Sequence, residues 1–181
     1  FVQLGSFKDI AYHHELANGV DFSYSWDTGR DGYAVDPFSE KEYRWNKIDF
    51  NARVEFGEKN SIPRVKNLSY VLKDGLSEIL GVTLKRQAKG DYKLSTTGYE
   101  LKRPHARVWN ESGVLRFYGF TDEVNVHFQN AQFVQTLNFQ QEQLFRSIYY
   151  LGPMRSRPGR VYSWTGNEPD GVGEMGENSI A

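Results

Sequence analysis

The sequence predicts an α+β fold, a strand-rich antiparallel meander with few helices, and three observations predict it. Apolar and polar residues alternate with period two over long runs, as at Val20, Phe22, Tyr24 and Trp26, which is the mark of a strand buried on one face. Turn-forming residues punctuate those runs at Asn60 to Pro63, at Asp74-Gly75 and at Gly90, the spacing of hairpin connections. Helical spacing is sustained from Phe133 to Tyr150, where Phe133, Val134, Leu137, Gln141, Leu144, Phe145 and Ile148 fall near one face.

Taken in order, FVQLGSFKDI reads as the end of a strand followed by a turn and a short helix. A strand over Val20 to Trp26 is joined by a turn-rich segment, Asp27 to Pro37, to a longer one over Tyr43 to Phe56 that stops at Gly57. Further strands are expected at Val65 to Leu72, Glu78 to Lys85 and Tyr92 to Leu101, the last broken by Pro104. A turn at Glu111-Ser112-Gly113 then leads to a short strand at Leu115 to Tyr118 before the helix. One domain spans residues 1–181, with an antiparallel β region over about 20–104 and a helix plus a Gly/Pro/Arg segment over 130–181. Both ends read as interior to a larger protein: the chain opens on Phe1, and Asn178 or Ser179 has the character of a helix N-cap with no helix after it.

Composition narrows the function classes. A formal net charge of −1 argues against a strongly basic, nucleic-acid-wrapping surface, though a local patch is compatible with it. Cysteine is absent, so disulfides and thiolate metal sites are excluded. The sequence has no secretory signal pattern and no apolar run of bilayer-spanning length, and a cytoplasmic protein without membrane partners is expected.

The most unusual stretch is YYLGPMRSRPGRVYSWTGNEPDGVGEMGE, Tyr149 to Glu177, with six glycines, three prolines and three arginines. Gly152 and Pro153 end the preceding element, and Arg155, Arg157 and Arg160 follow, interleaved with Pro158 and Gly159 so that they cannot share a helix. A rigid loop with three guanidinium groups suits phosphate or carboxylate. The competing interpretation is internal pairing with Glu168, Asp170, Glu174 and Glu177.

Other candidates are weaker. Gly171 to Gly176 matches GxGxxG in form, but no strand precedes it, and Glu174 and Glu177 would repel a pyrophosphate. No GxxxxGK[ST] loop occurs. Asp122-Glu123 has the form of an acidic pair after an apolar run, but Arg116 and Gly119 interrupt that run and favour a solvated turn. His13, His14, His105 and His127 lack zinc-site spacing and read as surface or packing residues. Glu40 with Glu42 and Glu55 with Glu58 are carboxylate pairs without any sign of burial. The four Trp, eleven Tyr and twelve Phe are spread through the strands, which makes them core rather than a stacking surface.

LGSFKDI near the start and YYLGPMRSRPGRVYSWTGNEPDGVGEMGEN near the end together resemble a group of bacterial AAA-family ATPases. Those proteins have ABC-type heads related to the overcoming-lysogenization-defect (OLD) nucleases and to chromosome-maintenance ATPases. The resemblance implies a P-loop α/β head when complete, in which a segment like Leu4 to Ile10 follows the Walker A region. A β-rich region comes next, then a motif like Tyr150 to Arg155, and Walker B lies beyond. The resemblance touches both ends of the chain and covers the middle by position only, and Met154 stands where leucine is commoner.

It implies ATP and Mg²⁺ as cofactors, γ-phosphate hydrolysis, a homodimer through the heads, and a role in phage defence or DNA maintenance. By the same implication Gly152, Arg155, Arg157 and Arg160 would contact nucleotide, partner head or nucleic-acid phosphate, while Glu174 and Glu177 would organise the loop. No catalytic residue and no metal ligand is identifiable within residues 1–181, and this stretch alone is expected to be inactive. Two alternatives stand beside it. One is a non-enzymatic β-rich module, Val20 to Leu101, binding a protein or nucleic acid; the other is a carbohydrate-binding β-sandwich, suggested only by aromatic abundance.

Overall fold

The computed structural model describes residues 13, 15, 19–56, 62–104, 110–149, 173, 175 and 176. The chain divides into two compact units, Leu4–Gln141 and the pair of segments Phe1–Gln3 and Glu142–Ala181. The expected elements over residues 1–10 and around Asn178 lie outside the described residues.

Strand alternation is realised as one five-stranded sheet: β1 (Val20–Val35), β2 (Glu42–Phe56), β3 (Pro63–Asp74), β4 (Ser77–Arg86) and β5 (Tyr92–Thr97). The strands pair in chain order, and every pair is antiparallel. Among the described residues two helices follow, α1 (Glu123–His127) and α2 (Phe133–Ser147). The described fold is therefore α+β and strand-rich.

Because side chains alternate across a strand, the in-register sets Phe50–Tyr70–Val82 and Ile48–Leu72–Leu80 point to one face and are buried. Phe50 and Tyr70 stack with ring centroids 4.9 Å apart, and Tyr70 meets Phe120 at 5.7 Å. Phe50 and Tyr70 are thus core, as expected of the strand aromatics, whereas Tyr33 on β1 is 48% exposed. Over the same face runs α2, which buries Phe133, Val134, Leu137, Asn138 and Gln141, the i, i+1, i+4, i+5, i+8 spacing of one helical stripe. Polar groups in the layer are paired: Tyr70 Oη donates to the Tyr118 carbonyl (2.5 Å), and Gln141 Nε2 donates to Tyr24 Oη (2.6 Å). Burial pushes both phenols well above the ordinary tyrosine range.

Several boundaries differ from expectation, each for a tertiary reason. β1 does not stop at Trp26 but continues to Val35 through a register shift between Asp27 and Gly32; the tight turn is later, where Asp36 O accepts from Glu40 N. Beyond the shift Gly32 faces Trp45, and a Cβ there would lie 2.0 Å from the indole, so the glycine is a seat for the ring rather than a turn residue. β5 ends at Thr97 rather than Leu101. Gly98 takes φ +71°, and a Cβ on it would stand 2.7 Å from the Ile79 carbonyl.

Leu115 to Tyr118 is not a strand. Leu115 and Gly119 exchange backbone hydrogen bonds across a turn, with Arg116 at φ +56°. Helix α1 was not expected from the sequence. It spans only five residues and buries just Val124, too short a stretch to set up a period.

Candidate functional site

Gly152, Arg155, Arg157, Arg160, Glu174 and Glu177 lie outside the described residues, as do Glu168 and Asp170. Of the Gly171–Gly176 segment, Gly173 and Gly176 have φ of +79° and +72°, and Gly176 N donates to Gly173 O. That is local turn geometry.

Among the described residues, two clusters gather groups capable of chemistry or binding. The first is a cleft of about 230 Å³ at the end of the sheet, where the start of β3 runs beside the end of β4 and the turn that follows. Glu55, Arg64, Lys66 and Arg86 supply its charged lining, and Phe56 and Val65 part of its apolar wall. Glu55 Oε1 accepts from Arg53 Nε (2.7 Å) and Lys66 Nζ (2.8 Å), which hold its carboxyl below the usual range, Lys66 most strongly.

Arg64 and Arg86 make no carboxylate pair among the described residues. Both lie close enough to the Tyr92 hydroxyl to pull its titration down, against the upward push of burial. That hydroxyl donates to the Val65 carbonyl at 2.7 Å. The turn after β4 is closed by Gly90 N to Gln87 O (3.0 Å), and with φ +97° Gly90 leaves room for the Arg86 guanidinium, 3.2 Å from where a Cβ would stand. Two guanidiniums facing one space, without a carboxylate partner among the described residues, are suited to an anion.

The second cluster lies under the sheet edge. Glu111 is joined to β5 by backbone bonds with Tyr92 in both directions, which carries its side chain inside, where it is 1% exposed. Its Oε1 lies 2.9 Å from His127 Nδ1 on α1, and its Oε2 has no hydrogen-bond partner among the described residues. Burial pushes the Glu111 carboxyl up, and His127 partly opposes this. Glu123 is spent on structure: it accepts from Ser112 N (2.7 Å) and Ser112 Oγ (2.6 Å), which hold it low. The sequence places Asp122-Glu123 in a solvated turn; Asp122 is an exposed turn residue, but Glu123 is the first residue of α1 and is tied to Ser112. His127 is, as expected, a packing residue, and its partner Glu111 went unnoticed because it sits in what reads as a surface turn.

The carboxylate–imidazole pair can share a proton, and Tyr92 stands between it and the cleft, bonded through its backbone to Glu111 and through its hydroxyl to the Val65 carbonyl. Among the described residues no group of three or more His, Asp or Glu converges as a metal site, and no helix is long and apolar enough to cross a membrane. Comparison of the chain with protein-family models, with curated proteins and with solved structures finds no match.

Proposed function

We propose that this chain acts within an ATP-binding and ATP-hydrolysing protein of the AAA/ABC type, as the β-rich region between the segment LGSFKDI and the glycine-arginine motif. The observation that carries the proposal is chain order. The meander occupies Val20–Thr97, and α2 ends at Ser147, just before the motif beginning at Tyr149, the sequence of parts that the family resemblance implies. On this reading Arg155, Arg157 and Arg160 act near the nucleotide or a partner head, with Glu174 and Glu177 ordering their loop and Mg²⁺ bound elsewhere. The sheet contributes a rigid platform, not chemistry.

ATP binding and turnover of the protein at its full natural length test this. Turnover that falls at least tenfold, about 1.4 kcal/mol of transition-state stabilisation, in Arg155→Ala or Arg160→Ala is the expected result. A full-length protein that neither binds nor hydrolyses ATP overturns the reading. A second reading, an interaction module with no reaction of its own, is favoured by the two cleft arginines, which have no carboxylate partner among the described residues.

A further inference from the structure

We propose that the cleft formed by Arg64, Lys66 and Arg86 holds a phosphate group of a nucleic-acid backbone. The inference goes beyond the ATPase reading and uses none of the residues assigned to it.

Three features of the cleft select a phosphate. Its lining carries three cations and one carboxylate, and that carboxylate already accepts from Lys66 and Arg53, so that among the described residues the two guanidiniums have no carboxylate partner. Arginine is the residue that meets phosphate oxygens with paired, parallel N–H donors. At about 230 Å³ the space falls below the roughly 300–1,000 Å³ of sites that enclose a whole small molecule, so it suits one group of a larger ligand.

The surroundings select a polyanion over a free ion. Lys85 and Lys93 stand directly opposite each other on β4 and β5, at one end of the rung Asp21–Arg53–Asn67–Lys85–Lys93, in which Arg53 is paired with Asp21. Like charges in register cost stability unless something offsets them. Neither lysine has a carboxylate partner among the described residues, and Lys89 lies in the intervening turn.

The next rung on the same face, Ser23–Asn51–Ser69–Thr83–Ser95, offers small donors and acceptors of the kind that bind phosphate and sugar oxygens. These two rungs carry no aromatic side chain on which a base could stack, so recognition is of the backbone and independent of sequence.

Fluorescence anisotropy of the full chain with labelled oligonucleotides of ~20 nucleotides, single-stranded and duplex, tests the proposal across salt from about 50 to 200 mM. Expected is binding in the range of roughly 10⁻⁴ to 10⁻⁶ M that weakens with salt. Replacing Arg64 and Arg86 together by Ala should lower affinity about tenfold or more and reduce the salt slope by about one to two. Arg86→Lys, which keeps the charge and loses the fork, should fall between, and Lys47→Ala, outside the cleft and the basic rung, should bind as the parent does.

Arg64 is exposed and Arg86 half-buried, so an unchanged thermal midpoint accompanies the expected loss. Absence of oligonucleotide binding at the lowest salt, or equal binding by parent and double variant, overturns the proposal. So does competition by inorganic phosphate or ATP at the oligonucleotide's own affinity, which would make a free phosphate compound the ligand.

Discussion

Gly32→Ala separates two explanations of one glycine by the sign of its effect. Gly32 lies in β1 opposite Trp45, and its backbone is not in the left-handed region, so alanine can adopt its conformation. If the glycine merely loosens an irregular strand, alanine should stabilise by about 0.4–1 kcal/mol by restricting the unfolded chain. The packing argues the opposite. An added Cβ would lie 2.0 Å from Trp45 Cε2, 2.1 Å from Nε1 and 2.6 Å from Cζ2. The indole is 1% exposed, and its Nε1 donates to Gln140 Oε1 at 3.2 Å, so the ring cannot shift without losing burial or that bond.

Overpacking of this kind costs about 1–3 kcal/mol, and full expulsion of a buried tryptophan about 3–5 kcal/mol. The expected net destabilisation is about 2 kcal/mol, a fall of roughly 4–8 °C in Tm for a chain of this size. Urea unfolding followed by tryptophan fluorescence and far-ultraviolet dichroism gives the value, with an unchanged m confirming a change in stability alone. In a Trp45→Leu background the same substitution should cost less, because the ring it collides with is gone. A Gly32→Ala protein as stable as its parent, or more so, would refute the packing argument.

Two further outcomes follow from buried polar groups. Asn138 Oδ1 accepts from Phe120 N (2.9 Å) and its Nδ2 donates to Phe120 O (2.8 Å), so Asn138→Ala leaves two buried backbone groups unpaired; a loss of about 2–4 kcal/mol is expected in denaturant unfolding. Glu111 titrates above its ordinary value in the folded state, so its contribution to stability is present below the unfolded value, about 4.3, and is lost as pH rises through the folded one. The groups that bear on it are His127, Glu123 and Arg103. Glu111→Gln should therefore gain in Tm relative to the parent as pH rises through that window, and a difference independent of pH between about 4 and 7 would contradict the assignment.

Much of the sheet was legible because the signal is local. In β2, Tyr43, Trp45, Ile48, Phe50, Ala52 and Val54 are buried and their neighbours are not, so half-burial is written directly into composition. Asp74-Gly75 marked the β3–β4 hairpin because Gly75 needs a positive φ, here +58°. The first half of the α2 stripe was legible for the same reason, down to the buried Gln141, but Leu144 and Phe145 are only half-buried and Ile148 is 61% exposed beyond the helix end at Ser147.

What periodicity cannot carry is the identity of neighbours. Gly32 reads as part of a turn-rich segment and Gly98 as the interior of a strand, yet the first makes room for Trp45, and the second approaches the Ile79 carbonyl so closely that a side chain would collide with it. Glu111 reads as a surface turn residue until its bridge to Tyr92 turns it inward against His127.

The sequence by itself determined the strand-rich α+β class, the order of the hairpins and the place of the long helix, because each follows from contacts within a few residues of chain. Only the tertiary structure decided that Arg64 and Arg86 share one cleft, since that depends on the β3–β4 register and on a turn whose Gly90 clears space for a guanidinium. Register is set by the summed burial of whole strands, and no single residue records it.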